Sequence, residues 1–240
     1  MGRPEARSPI AREELLDRLA AAIVSIRVDH VVRVAVDGAD SAGKTTFADQ
    51  LAPLVARRGR PVLRISADGF HRPRAERYRL GELSFEGYYR DAFDVEALIR
   101  HVLEPLGPGG SQTYRRATFD LDTDEPARDP VRVASPRAVL LMDGVFLLRP
   151  ELHPHWEFAI FLEANPSEIL RRALAKDAAR FGSDEHVRER YERRYLPAHE
   201  LYESEVHPRR LADVVIENSD PDQPLVTRIS ASAAHALGLM

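Results

Sequence analysis

The sharpest chemical signal in the chain is eight consecutive residues, Gly38-Ala39-Asp40-Ser41-Ala42-Gly43-Lys44-Thr45. They fit the pattern G-x-x-x-x-G-K-[ST] of a phosphate-binding loop. Its glycines let the backbone curl until successive N–H groups point inward at phosphate oxygens. A helix that begins at the lysine adds its positive N-terminal end. Lys44 can place a compact charge on the β- and γ-phosphates, and Thr45 can offer a hydroxyl to Mg²⁺. The expected ligands of this stretch, with Thr46 beside it, are ATP and Mg²⁺.

Two carboxylates stand where they could complete that chemistry. Asp68 follows a short β-branched run, and Asp143 follows the strongly apolar run Ala138 to Met142. In a parallel sheet, ligands sit beyond the carboxyl ends of the strands, so both acids should face the crevice of the phosphate loop. A carboxylate there can support Mg²⁺ or accept the proton of an attacking hydroxyl. The apolar run before Asp143 suits metal support. Asp68, at the head of a polar loop, suits the base.

The elements that must position these residues follow from periodicity. Ser8-Pro9 opens an expected helix in the first 29 residues, with Leu15, Leu16, Leu19, Ile23 and Ile26 on one face. Val31–Val36 reads as a buried strand. A helix from Lys44 to Arg58, disturbed at Pro53 and closed by Gly59, follows the phosphate loop. Pro61–Ser66, Ala138–Met142, Glu157–Leu162 and Ala212–Ile216 read as further strands, most of them apolar on both faces. Ala67–Asp91 reads as a long irregular loop, of the kind that carries function. Helices are expected over Asp94–Leu106, Pro166–Phe181 and Asp184–Val206. In the last of these, Leu196-Pro197-Ala198-His199 is expected to turn the chain back toward the sheet. Residues 107–136 read as an insertion holding a small hairpin. The expected fold is α/β: one domain spanning 1–240, a P-loop NTPase whose parallel sheet is sandwiched by helices.

Composition narrows the function classes. The chain has 240 residues, 34 Lys+Arg and 38 Asp+Glu, for a net charge of −4, so a broad electrostatic grip on nucleic acid is not expected. Cysteine is absent, which excludes thiol catalysis and Cys-based zinc sites. No apolar stretch approaches transmembrane length, and no targeting segment is legible, so a cytoplasmic setting without membrane contact is expected. Only two lysines, Lys44 and Lys176, stand among the basic residues. A lysine kept in so arginine-rich a chain invites inspection, because an ammonium and a guanidinium do different work. His153-Pro154-His155 lacks a third ligand and reads as a surface turn.

Four stretches together resemble the uridine kinase and phosphoribulokinase branch of the P-loop kinases: the phosphate loop, Asp68-Gly69-Phe70-His71-Arg72, Tyr88-Tyr89-Arg90-Asp91-Ala92-Phe93-Asp94, and Met142-Asp143-Gly144-Val145. The resemblance implies a nucleoside-kinase-like fold with a helical lid over residues 164–210. It implies catalytic roles for Asp68 and Lys44, and for Arg171 or Arg172 in the lid as clamps on the transferring phosphoryl group. Thr45 and Asp143 would hold the metal. Asp68, His71, Tyr89, Asp91 and Tyr114 would surround the acceptor, with Asp91 on ribose hydroxyls and Tyr114 lining a nucleoside pocket. The chain differs from the branch at His71, at Tyr89-Arg90, at Asp143-Gly144 and at Phe119-Asp120, positions that bear on base specificity. The implied activity is ATP-dependent phosphorylation of a small-molecule hydroxyl, first the 5′-hydroxyl of uridine or cytidine. The alternatives are pantothenate, a nicotinamide riboside, a sugar or a nucleoside monophosphate as acceptor, or a regulatory nucleotide-binding protein. A homo-oligomer is left open.

Overall fold

The computed structural model describes residues 10–238, apart from the side chain of Arg180. Ser8-Pro9 lies outside these residues. The first helix, α1, runs Arg12–Ser25, with Ala11 at its N-cap and no side-chain cap. Among the described residues the strands are β1 (Val32–Gly38), β2 (Val62–Ser66), the two-residue strands β3 (Thr113–Tyr114), β4 (Phe119–Asp120), β5 (Glu125–Pro126) and β6 (Arg132–Val133), then β7 (Val139–Asp143), β8 (Phe158–Glu163), β9 (Val214–Glu217) and β10 (Leu225–Ile229).

One six-stranded sheet has the order β10-β9-β8-β1-β7-β2. Its pairs are parallel except at the edge, where β10 runs antiparallel to β9. The sheet is therefore mostly, not wholly, parallel. The antiparallel edge strand lies in the segment after Asn218, where no periodicity stood out. Residues 107–136 form two antiparallel ribbons, β3 with β6 and β4 with β5.

The sheet separates two apolar layers. Val34, Val36, Leu141 and Ile160 pack on one side with α1 and α2 (Lys44–Arg57). Ala35, Leu140, Met142 and Phe161 pack on the other with α3 (Phe85–Asp91) and with Leu98, Val102 and Leu103 of the helix α4 (residues 95–106). Alternate residues of a strand face opposite sides, so burial on both faces requires the continuous apolar runs seen in these strands. Asp94 caps α4 as expected, its Oδ1 accepting from Ala97 N at 2.9 Å.

Two prolines sit inside helices without ending them. Pro53 lies inside α2 without ending it. It is exposed, as is Asp49 one turn earlier, so water can serve the carbonyl that lacks a donor. Pro197 does not turn the chain either. The helix α6 (residues 184–206) continues through it, preceded by a π-turn at Tyr191–Tyr195. The wider π-turn leaves room for a ring with no N–H to donate. The reversal falls later, at His207 (φ +55°) and Pro208. The segment 67–91 is more ordered than a loop, with a 3₁₀ turn at Ala67–Phe70, a helical turn at Arg74–Arg77 and then α3. Ser84 caps α3, its Oγ accepting from Gly87 N at 3.0 Å. Among the described residues the other helices are α5 (Pro166–Phe181), a short turn at Pro208–Leu211 and α7 (Ala231–Leu237).

Candidate active site

Strand register explains why distant residues converge. In the sheet, Asp143 is level with Val36 of β1 and with Ser66 of β2. The phosphate loop, Asp143 and Asp68 therefore leave the sheet at one end, side by side. The loop itself needs two of its glycines. Gly38 has φ +143°, and a Cβ there would lie 2.2 Å from Leu162 O. Gly43 has φ +97°, and a Cβ there would meet Asn218 Nδ2 at 2.7 Å. No L side chain fits either position.

Behind the loop sits Asp37, fully buried, a residue the motif does not include. It accepts from Gly38 N at 2.7 Å, Leu148 N at 3.2 Å and Tyr202 OH at 2.5 Å. Burial raises its pKa, and the bonds from Tyr202 and Gly38 oppose that rise. It ties the start of the loop to α6. A second tie is made by Ser41, at φ +58°, whose Oγ lies 2.8 Å from Tyr191 OH. Tyr191 gives its proton to Asp177 Oδ2 at 2.9 Å, so Ser41 must be the donor to Tyr191. The chain Ser41–Tyr191–Asp177 links the loop to both α5 and α6.

Around the loop is a cavity of about 400 Å³ lined by Lys44, Thr45, Thr46, Asp143, Arg172 and others. Lys44 is buried, and its Nζ donates to Ala39 O at 2.7 Å. Thr45 Oγ1 donates to Asp143 Oδ2 at 2.6 Å. A hydroxyl and a carboxylate at this separation are hard oxygen donors of the kind Mg²⁺ takes, so these residues fit the ion. Arg64 Nη2 donates to the other oxygen, Oδ1, at 3.0 Å and holds Asp143 in place.

Beside it lies a smaller cavity of about 120 Å³, lined by His71, Tyr88, Asp177, Tyr191, Arg194 and others. Asp40, Ser41, Asp68 and Lys176 line both cavities. Asp68 is exposed into this junction. Asp40 is held by Tyr88, whose OH donates to it at 3.0 Å, and burial raises its pKa. His71 Nδ1 lies 3.0 Å from the Asp68 carbonyl, which only accepts. That assigns the proton to Nδ1 and leaves the Nε2 lone pair free to accept a bond. Burial lowers the His71 pKa, with the charge of Asp68 opposing, which favours neutral imidazole.

Helix α5 separates its basic residues sharply. Arg171 is 69% exposed and paired with Glu168, away from the junction. Arg172 is 16% exposed and donates to Glu168, Ala42 O, Asn218 O and Ser219 O. The two arginines pull the Glu168 pKa down to about 2. Lys176 lies one helical turn beyond Arg172 on the same face, and it reaches the junction. It was singled out by composition but given no site role by the sequence; the i, i+4 spacing from Arg172 is the signal that could have supplied one.

Other expected acceptor residues stand elsewhere. Asp91 pairs with Arg79 at 3.0 Å near the surface. Tyr89 is buried against Phe146 and Tyr202, with the Arg149 guanidinium 4.8 Å from its ring centre. Tyr114 is buried where β3 meets the core. None of the three lines either cavity. His153-Pro154-His155 forms a 3₁₀ turn, and no cluster of three or more metal-ligating side chains occurs among the described residues. No described helix is long and apolar enough to cross a membrane.

No protein-family model and no curated protein matches the chain. Solved structures do. A protein from Bacillus stearothermophilus proposed to be a uridine kinase superposes with a TM-score of 0.66 at 24% identity, over 85% of this chain and 97% of that one. A protein from Silicibacter sp. TM1040, proposed to be the kinase of a fructose transport system, gives 0.61 at 22% identity, over 79% and 94%. D-glycerate 3-kinase from Cryptococcus neoformans gives 0.52 at 16% identity, over 79% and 86%. The chain shares the fold of these structures, in which a mostly parallel sheet lies between helices.

Proposed function

We propose that the protein transfers the γ-phosphoryl group of ATP to a hydroxyl of a small molecule. One observation carries the reading: Asp40, Ser41, Asp68 and Lys176 form the shared wall between the phosphate-loop cavity and the smaller cavity. A phosphoryl group leaving the first would meet an acceptor held in the second. Lys44 would release Ala39 O and turn its charge to the phosphates. Thr45 and Asp143 would hold Mg²⁺, which supplies charge neutralisation on the phosphate oxygens. Asp68 would orient the hydroxyl and take its proton, while Lys176 and Arg172 offset the charge spread over the phosphoryl oxygens. Alignment and charge carry most of such a reaction.

The resemblance of the sequence favours uridine or cytidine as acceptor, but the two residues it assigned to a nucleoside, Asp91 and Tyr114, do not line the cavity. The acceptor is therefore a hydroxyl-bearing small molecule. ADP release from Mg²⁺-ATP, measured with and without acceptors, tests it. Acceptor-stimulated turnover that Asp68→Asn abolishes supports the kinase. Slow hydrolysis that is indifferent both to acceptors and to Asp68→Asn points instead to a regulatory nucleotide-binding protein.

A further inference from the structure

Resting on that reading, the structure assigns the acceptor a charge: we propose that it carries an anionic group, a carboxylate or a phosphate ester, bound by Arg77 and Arg190. The smaller cavity opens away from the phosphate loop into a groove of about 560 Å³, the two sharing Arg77, Tyr78, Leu121 and Phe181 as walls. The three spaces lie in file: phosphate loop, junction, groove. An acceptor whose hydroxyl sits at Asp68 has the rest of its body directed into the groove.

Two guanidinium groups in that groove hold donors with nothing to donate to. Arg77 is only 6% exposed, and its Nη2 is committed to Asp124 at 2.6 Å, but its buried Nε has no partner. Arg190 is committed to Glu82, and its buried Nη1 has no partner. A buried donor without an acceptor is costly, and native structures rarely keep one without a reason. Both arginines stand on aromatic walls, Arg77 at 5.2 Å from the Tyr78 ring centre and Arg190 at 4.6 Å from that of Phe181. Arg74 and Arg194 also stack on Tyr78, at 5.9 and 5.0 Å. Carboxylates are present but engaged or peripheral: Glu82 on Arg190, Asp124 on Arg77, Glu189 on Arg193 at 2.7 Å, and Asp122 exposed at the rim. A planar guanidinium that keeps an unpartnered N–H beside its first ion pair can take an oxygen of a carboxylate or phosphate. The π-turn at Tyr191–Tyr195, which sets Tyr191, Arg194 and Tyr195 on the cavity wall, is the kind of helix defect often found at functional sites.

The test uses matched acceptors that differ in one anionic group: glycerol and glycerate, pantothenol and pantothenate, ribose and ribose 5-phosphate, uridine and UMP. Phosphorylation and equilibrium binding in the presence of Mg²⁺-ADP are both measured. The anionic member of at least one pair is expected to show kcat/KM at least about tenfold above its neutral partner. Arg77→Lys, which keeps the charge for Asp124 but removes Nε, should raise its KM at least about tenfold with kcat changed by less than about threefold, and Arg190→Gln should do the same. The first two pairs report a carboxylate and the last two a phosphate. Equal use of a neutral member overturns the inference and leaves the kinase standing. An anionic member that binds through Arg77 and Arg190 without being phosphorylated upholds the inference and sinks the kinase reading. Binding of no member, or KM values indifferent to both variants, overturns the inference.

Discussion

Lys176 and Arg171 carry the same charge on α5, yet of the two only Lys176 lines the cavity around the phosphate loop. Placement, not charge, should decide their effects. Lys176→Met is expected to lower kcat by about 10²–10³, the usual cost of removing one preorganised stabiliser of a developing charge. Arg171→Ala should stay within about twofold, because an exposed ion pair such as Arg171–Glu168 contributes little. Steady-state kinetics on the two variants checks both. His71 supplies a pH prediction. Burial sets its folded pKa below the ordinary histidine value. Below the unfolded pKa of about 6.5 the unfolded chain therefore binds more protons, and the His71 contribution to stability falls as pH falls through that window. Urea midpoints at pH 7.5 and 5.5 should differ less in His71→Gln than in the natural chain. An unchanged difference would contradict the assignment. At this scale legibility followed contiguity. The phosphate loop could be read because its residues adjoin in sequence. The cavity wall made by Asp40, His71, Arg77, Asp177 and Arg194 joins four separate segments, and no spacing rule reports that.

At the scale of elements, the loop is held from behind by α6. Tyr202 reaches Asp37, and Tyr191 bridges Ser41 and Asp177. Tyr191→Phe leaves Asp177 buried without its donor and should destabilise the fold by about 1–3 kcal/mol. Chemical denaturation measures this, and a loss well below that range would show the bridge to be slack. The strands β1, β2, β7, β8 and β9 and the helices α2, α4 and α5 are legible because apolar periodicity and caps such as Asp94 act locally. The prolines misled for physical reasons. Pro53 sits on a wet face where its missing bond is cheap, and the π-turn before Pro197 absorbs the distortion. The edge strand β10 escaped notice because Leu225–Ile229 has only one fully buried residue, Val226.

At the scale of the molecule, both cavities lie at the ends of three adjacent strands, β1, β7 and β2, and are walled on the far side by α5 and α6. A ligand that binds there should stabilise the fold as a unit. An ATP analogue with Mg²⁺ at about 100 times its Kd should add about 2.7 kcal/mol to the unfolding free energy. Asp143→Asn should remove most of the Mg²⁺-dependent part of that gain and leave the metal-free part. Thermal unfolding with and without Mg²⁺ separates the two. In the proposed reaction, phosphoryl transfer occurs at the wall between the two cavities, with Asp68 as the base. Following a radiolabelled γ-phosphoryl group of ATP in the natural chain and in Asp68→Asn tests it most directly. The label should pass to an acceptor in the natural chain, and Asp68→Asn should slow that passage by about 10²–10⁴ while Mg²⁺-ATP affinity changes by less than about threefold. Label that passes to the acceptor at the same rate in both, or that appears only as inorganic phosphate whatever acceptor is present, would contradict it.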